Sequence, residues 1–403
     1  MKILKSVLLS VLFISIAASL NAQDDLNTKY AQMGLNSITT AVPFMTISPD
    51  ARSGSMGDVG VSTSPDANSM HWNPAKYAFL NKTAGVSLNY IPWMRSLGIT
   101  DINLFNVAGY YKINDKSAVA ATLTYFSLGE ITFRDYEGRD LGPAKPNEFA
   151  IDATYSRKFS EKISGAVAGR FIYSDLTNGL SNSSGTKAGT SVAADIAIYY
   201  VEPLTIAQMD AEFALGVNIS NIGSKMSYEV TKQHKEFIPT NLRIGPSLKL
   251  NIDDYNSIFL AVEISKLLVP TPPIEDDEGN ILYGKDSNVS LLMGMIQSFY
   301  DAPGYTQLDN GEYAKIGVFR EELQEINISV GAEYWYNNLL AVRLGYLYEN
   351  PRKGDRQYIT VGAGVKYNVF ALDLSYLISL KQRSPLENTL RFSLTLDFDA
   401  SAR

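Results

Sequence analysis

Leu390-Arg391-Phe392-Ser393-Leu394-Thr395-Leu396-Asp397-Phe398 alternates a large apolar side chain with a polar one along its whole length. A repeat of two belongs to a strand, whose successive Cβ atoms point to opposite faces; a helix would return near every 3.6 residues. The stretch before it keeps the same beat. Phe370, Leu372, Leu374, Tyr376, Ile378 and Leu380 stand opposite Ala371, Asp373, Ser375 and Ser379. Further upstream, Ile326, Ile328, Val330, Ala332 and Tyr334 oppose Asn327, Ser329, Gly331 and Glu333. A single apolar face suits a soluble sandwich as well as a wall that meets lipid, so alternation alone leaves both open.

Strand length and spacing decide between them. Fourteen strands are expected, at about 84–92, 100–113, 117–128, 147–159, 162–177, 189–202, 208–222, 238–252, 256–269, 323–336, 339–349, 356–367, 370–380 and 388–398. Soluble strands run to about 5–6 residues, whereas a tilted membrane crossing needs about 9–11. The connections alternate too. Short ones hold Asn114-Asp115-Lys116, Ser160-Glu161, Asp253-Asp254-Tyr255, Asn337-Asn338 and Asn368-Val369; longer ones lie near 129–146, 178–188, 223–237 and 270–322. Short periplasmic turns alternating with longer outer loops mark an outer-membrane barrel, and an even strand count returns both barrel ends to the periplasmic side. Tyr110-Tyr111, Tyr199-Tyr200 and Tyr334-Trp335-Tyr336 fall beside short turns, and Tyr90, Trp93, Tyr346 and Tyr348 near the other end, as two aromatic girdles would. Gly331, Gly362 and Gly364 let strands bend or leave room inside the lumen. Because Gly362-Ala363-Gly364 is inside a strand, it cradles no phosphate.

Composition fits this picture. Charged residues make up 19% of the 403-residue chain and tyrosine is abundant at 24; the tyrosine ring suits a boundary with one wet and one greasy side. The formal charge of −7 forms no basic stripe, so nucleic acid is not an expected partner. The absence of cysteine removes disulfides, thiolate metal sites, a Cys nucleophile and lipoprotein acylation. Lys2 and Lys5 precede an apolar run from Val7 to Leu20, then Asn21-Ala22-Gln23. This reads as a signal peptide, residues 1–22, since the run falls short of the roughly 20 apolar residues of a spanning helix. No later segment is apolar enough to span as a helix, so any membrane residence comes from strands.

Between that leader and the first strand, residues 23–83 show neither strand nor helix rhythm. Pro43-Phe44-Met45-Thr46-Ile47-Ser48-Pro49-Asp50-Ala51-Arg52 opens the segment's dense part, Gly54, Gly57, Gly60 and Ser64-Pro65-Asp66-Ala67 punctuate it, and His71-Trp72-Asn73-Pro74-Ala75 closes it. Phe44, Met45, Ile47, Met56, Val59, Val61 and Trp72 make it more apolar than disordered chain, and a plug in the lumen is expected. Trp72, Asn73, Pro74 and Ala75 are its motif. That triplet of Asn73-Pro74-Ala75 ahead of fourteen strands resembles the FadL family of outer-membrane transport proteins, whose N-terminal hatch stoppers the barrel. The run from Pro43 to Phe79 resembles, more specifically, the FadL-like PorV (LptO) family of the type IX secretion system. The similarity of layout extends over essentially the whole mature chain. The barrel is then 84–398, with a tail at 399–403. Barrels of this kind often end on an aromatic; Phe398 fits, though Asp399 to Arg403 follow it.

The resemblance implies a Gram-negative outer-membrane protein with surface loops that binds the C-terminal signal domain of exported proteins. It implies docking beside the SprA/Sov translocon barrel and delivery of cargo to the PorU attachment complex. Outer-membrane lipid would surround it. Within the longest loop, Pro270-Thr271-Pro272-Pro273 and the acidic Glu275-Asp276-Asp277-Glu278 lead into Val289, Leu291, Leu292, Met293, Met295, Ile296 and Phe299. That apolar, Met-rich stretch reads as helical and adaptable, a candidate docking site. Kinship to FadL keeps a second reading open, a channel for hydrophobic small molecules, although fold does not carry function and the inward residues Arg391, Asp397, Asp373, Glu333 and Arg343 are polar. A third, lipid A deacylation, is implied by the alternative family name. Ester hydrolysis wants a nucleophile, a base and an orienting group, yet only His71 and His234 are present. His71 beside Trp72 reads as a packed plug residue, His234 among Lys232, Lys235 and Glu236 as solvated, and no Gly-x-Ser-x-Gly accompanies them. No catalytic, cofactor or metal residues are expected: two histidines without cysteine make no transition-metal site, and Asp276-Asp277-Glu278-Gly279-Asn280 lacks a dedicated calcium spacing.

Overall fold

The computed structural model describes residues 35–134, 137–177, 186–231, 234–308, 312–381 and 384–399. The expected signal peptide and the last residues of the tail lie outside the described residues.

Fourteen antiparallel strands close into one barrel. They are β1 (Ala84–Pro92), β2 (Ile102–Asn114), β3 (Ser117–Leu128), β4 (Asn147–Lys158), β5 (Ile163–Asp175), β6 (Gly189–Ile206) and β7 (Met209–Gly223). The second half comprises β8 (Asn241–Asn251), β9 (Asn256–Leu267), β10 (Asn327–Tyr336), β11 (Leu340–Tyr348), β12 (Gln357–Tyr367), β13 (Phe370–Ser379) and β14 (Leu390–Phe398). Each strand pairs with its neighbour in sequence, and β14 returns to β1 from Ala84↔Phe398 to Tyr90↔Phe392. Closure satisfies every wall strand on both sides, the condition for spanning hydrocarbon with strands. Leu390, Phe392, Leu394 and Phe398 face outward while Arg391, Ser393 and Thr395 are buried inside, and β13 repeats this with Leu372 and Leu374 outside and Asp373 and Ser375 inside. The inverted pattern, greasy outside and polar inside, belongs to a lipid-facing barrel.

Turn chemistry sets the registers. Asn337 and Asn338 both take positive φ, 53° and 50°, the left-handed pair a two-residue hairpin demands. The longer connections carry small hairpins, Ile131–Arg134 with Asp140–Ala144 and Tyr305–Gln307 with Tyr313–Lys315.

Three expectations are corrected. Residues 323–326 belong to no strand: Val318–Gln324 is a helix and β10 begins at Asn327. The β6–β7 hairpin extends past residue 202 to Ile206 and turns on Ala207-Gln208. Among the expected girdle residues, Tyr110 and Tyr199 are buried inside rather than facing lipid. Neighbouring residues on a strand must point to opposite faces, so only Tyr111 of the first pair is exposed outside.

From Ala41 on, the described chain ahead of β1 fills the lumen. It forms the single-turn helices α1 (Ala51–Gly54) and α2 (Ser69–Trp72), then a 3-10 helix over Pro74–Phe79. Phe44 and Met45 pack with Ile91, Leu104, Phe126 and Ile172 near the outer strand ends. Tyr77 and Leu80 pack with Tyr110 and Ala118 near the short turns. The wall is carved to admit the plug backbone. A Cβ on Gly345 would lie 1.9 Å from Gly57 N, and one on Gly331 2.7 Å from Met56 O, so these inward glycines are room for the plug main chain.

Candidate functional site

The plug motif is a fastening. Asp50 caps α1 by accepting from Ser53 N (2.8 Å) and also accepts from Trp72 Nε1 (2.6 Å). The Trp72 indole lies on Gly60, where a Cβ would approach to 2.1 Å, and under the Arg243 guanidinium at 4.8 Å. Asn73 donates to Val61 O and to Ile198 O of β6, both at 3.0 Å, while its oxygen accepts from Ala75 N (3.0 Å). Pro74 opens the 3-10 helix, where no N–H is needed. The Ala75 carbonyl accepts from Ser156 Oγ of β4 (3.0 Å) and Ser164 Oγ of β5 (2.7 Å). Trp72, Asn73 and Ala75 thus join plug to plug or plug to wall, and Pro74 sets the turn between them.

Charges complete the fastening. Arg52 pairs with Glu333 (2.9 Å) and Asp66 (3.0 Å); Glu333 also meets Arg343 (2.6 Å), which meets Asp373 (2.7 Å). Glu263 accepts from Gly60 N and Val61 N, both at 2.8 Å, and pairs with Arg243 (2.7 Å). On the other side Arg170 links Asp152 and Asp195. Glu333, Arg343 and Asp373 were legible as inward polar residues; Glu263, Arg243 and Arg170 were not singled out, although they occupy the same alternate positions. Such pairs neutralise one another, as buried charge must.

This lumen has little free space. Two cavities beside His71 measure about 20 and 10 Å³, enough for about one water each. A third, about 410 Å³ and partly open, lies between residues 37–46 and the wall, lined by Arg243, Glu325, Glu349, Lys353 and Arg356 among others. The His71 ring stands edge-on to Trp72 at 4.7 Å, and its Nε2 has no hydrogen-bond partner. His234 is 85% exposed. Asp276 spends its carboxylate on its own loop, on Glu278 N and Asn280 N. Neither histidine stands in a nucleophile–base pair, so the arrangement reads as architecture.

The longest outer connection, 268–326, carries the candidate docking residues. It contains α3 (Leu291–Gln297) and α4 (Val318–Gln324). Gly294 of α3 is buried against Phe237 and Gln297 donates to Asp286 O (2.8 Å), fixing which face looks outward. That outward face presents Leu292 (66% exposed), Met293, Ile296 (60%) and Phe299, while Leu291 and Met295 are half-buried. Val318, Phe319 (77% exposed) and Leu323 extend apolar surface onto α4, a feature absent from the sequence reading, which took Leu323 into a strand.

A buried charge cluster pins α4 to the barrel and ties it to the segment that follows α3. Lys266, at the end of β9, meets Glu322 (3.1 Å) and Glu325 (2.5 Å); Lys353 meets Glu321 (3.0 Å) and Glu325 (2.9 Å). Glu321 also accepts from Gly304 N (2.8 Å) and Glu322 from Ala302 N (2.9 Å). Burial would lift the Glu325 carboxyl, but Lys353 and Lys266 hold it below the ordinary range. Asp301 is different. Burial, reinforced by Glu322 and Glu325, pushes it up to about 7, and one of its oxygens has no partner.

Comparison with known proteins agrees with this architecture. The family model described as "Type IX secretion system protein PorV" matches residues 30–274. No curated protein matches the chain. Among solved structures, the Pseudomonas putida toluene transporter TodX is 13% identical, with 87% of this chain and 99% of that one covered at a TM-score of 0.46. The Ralstonia pickettii toluene transporter TbuX is 10% identical over 87% and 98% (TM-score 0.44), and a Pseudomonas aeruginosa FadL homologue 12% over 91% and 100% (TM-score 0.41). These are distant likenesses, and nothing about substrate follows from them.

Proposed function

The chain belongs to the PorV family and is an outer-membrane component of the type IX secretion system of a Gram-negative bacterium, and from that premise we propose that it binds exported proteins through their C-terminal signal domains at the SprA/Sov translocon and passes them to the PorU attachment complex. The observation that carries this reading is the apolar face of α3, Leu292, Met293, Ile296 and Phe299, held outward on the longest outer loop. Clustered large apolar residues on a wet surface mark a protein-binding site, and methionine adapts to more than one partner. The seating of α3 on Phe237 through Gly294, and of α4 on Lys266 and Lys353, supports it, because a preordered surface loses less entropy on binding. The plug, fastened through Trp72, Asn73, Pro74 and Ala75, then serves to close and brace the barrel while partners are handled outside it.

The alternative, a diffusion channel for hydrophobic small molecules, is less well supported. Its route would have to pass the paired charges and the water-sized cavities beside His71, below the larger cavity of about 410 Å³ at residues 37–46. Lipid A deacylation is weaker still, since His71 is packed on Trp72 and His234 is solvated.

The test is affinity purification of the tagged protein from detergent-solubilised outer membrane, wild type against Leu292→Ser/Met293→Ser/Ile296→Ser/Phe299→Ser. The wild type should bring down a giant barrel and exported proteins, and the variant should lose at least about tenfold of that recovery, the equivalent of one lost apolar anchor or more. The variant must still migrate as a heat-modifiable barrel. Undiminished recovery would remove the proposal, and stoichiometric lipid or fatty acid in place of protein partners would favour the channel.

A further inference from the structure

Residues 35–41 lie at the mouth opposite the short turns. Asn36 N donates to Arg352 O (3.0 Å) in the connection between β11 and β12. The Asn36 side chain donates to Glu321 Oε1 (3.3 Å) and to Pro272 O (3.5 Å), both between β9 and β10. Ala41 N donates to Phe237 O (2.9 Å), ahead of β8. All of these anchors sit on the longer connections, the outer set. From there the chain runs one way. Phe44 stacks beside Phe126 near the outer end of β3, with ring centres 6.2 Å apart. The Trp72-Asn73-Pro74-Ala75 fastening follows further in, where Ala75 O meets Ser156 and Ser164 beside the short turn between β4 and β5. Tyr77 then reaches Tyr110 at 6.0 Å and Phe79 reaches Tyr199 at 5.7 Å. Thr83 N finally donates to Phe398 O (3.0 Å) at the rim of the short turns, where β1 begins.

We propose that the polypeptide threads its own barrel from the cell surface inward, so that residues 35–39 are displayed at the outer face. They lie beside α4, whose Glu321 holds Asn36, and so share the outer face with the apolar surface of α3 and α4. Leu35 is 76% exposed, and Ser37 and Thr39 are exposed with it. These positions would be sealed inside the lumen, or face the periplasm, if the chain entered the barrel from below. A partner at the outer mouth therefore meets residues 35–39 as well as the loops. This placement rests on the path of the backbone and holds whichever partner is bound.

The chain contains no cysteine, so single thiols can report their side of the membrane. Leu35→Cys and Ser37→Cys are made separately in the full-length protein. Glu278→Cys in the outer loop and Asp254→Cys in a short turn serve as calibrants. Intact cells are treated with a membrane-impermeant maleimide before and after outer-membrane permeabilisation. Labelling of Leu35→Cys on intact cells, at the level of Glu278→Cys and without increase on permeabilisation, is expected. Ser37→Cys carries the same reading where the first variant fails to insert. Labelling only after permeabilisation, as for Asp254→Cys, would overturn the proposal. So would a thiol unreactive in both states that becomes reactive on denaturation.

Discussion

Asp301 shows how one side chain can report on the outer surface. Its carboxyl, pushed up to about 7 by burial and by Glu322 and Glu325, stands above its unfolded value of 3.8. A group raised in this way favours the folded state most below about pH 4, and that contribution is lost as the pH climbs through about 7. Asp301→Asn mimics the protonated form and can still accept from Thr271 N. Its protection of the loop should match wild type near pH 4, exceed it progressively to pH 7, and level off above. Hydrogen exchange of 291–324, corrected for intrinsic rates, checks this; a gain independent of pH would exclude the titration. At the plug, Trp72→Phe removes the donor to Asp50 and strands a buried carboxylate oxygen, at a cost of about 1–3 kcal/mol. Glu333→Ala leaves Arg52 and Arg343 facing each other without their shared anion, and should cost about 3–5 kcal/mol. Urea unfolding in vesicles measures both, and Glu333→Ala must be the larger.

Strands and turns divide by how they fold. Asn337-Asn338 tolerates positive φ because a short amide side chain can settle there, whereas Ala207 (φ 51°) and Gln208 (φ 67°) meet the same demand without that help. Replacing Ala207-Gln208 by Asn-Gly should stabilise the barrel by about 1 kcal/mol, and Asn338→Ala should destabilise it by a similar amount. The same contrast explains what could be read from the chain alone. β14 and β13 were legible because every outward residue is large and apolar and every inward one except Leu377 is small, polar or charged. The end of β6 was obscure because Ala-Gln is no turn signal and the polar run from Glu202 looks like loop. Read from the sequence, β10 runs back to 323 and so takes in Leu323 and Gln324 of α4, because a helix of seven residues is too short to show its period. Its glutamates are buried only because Lys266 and Lys353, far away in sequence, come to meet them. Tyr110 and Tyr199 were placed in the wrong company for a similar reason: tyrosine suits a lipid boundary or a plug equally, and only the pleat decides. The fastening was half legible. Asn73-Pro74-Ala75 announced a local motif, but its receivers, Ile198 O, Ser156 and Ser164, are on three strands that share no pattern with it.

At the scale of the whole molecule, one reversal organises everything else. Apolar side chains that a soluble protein would bury are turned outward on a closed ring, and the charges that such a protein would display are paired inside against a plug. The proposed partner contacts accordingly fall on the outer connections, above all on α3. From the ends of the wall strands, Lys266 and Lys353 hold α4 in place from below. The reversal can be read directly, because the chain lacks cysteine and single spin labels can be placed at Leu372, Leu374, Phe392 and Leu394 in protein reconstituted into bilayers. Collisions with dissolved oxygen, which concentrates in lipid, and with a water-soluble nickel complex are compared at each site. High oxygen and low nickel accessibility at all four, with the opposite ratio at Glu278 in the outer loop, is the result expected. Nickel accessibility at these four equal to that at Glu278 would mean that this face meets water, and the barrel as described here would be wrong.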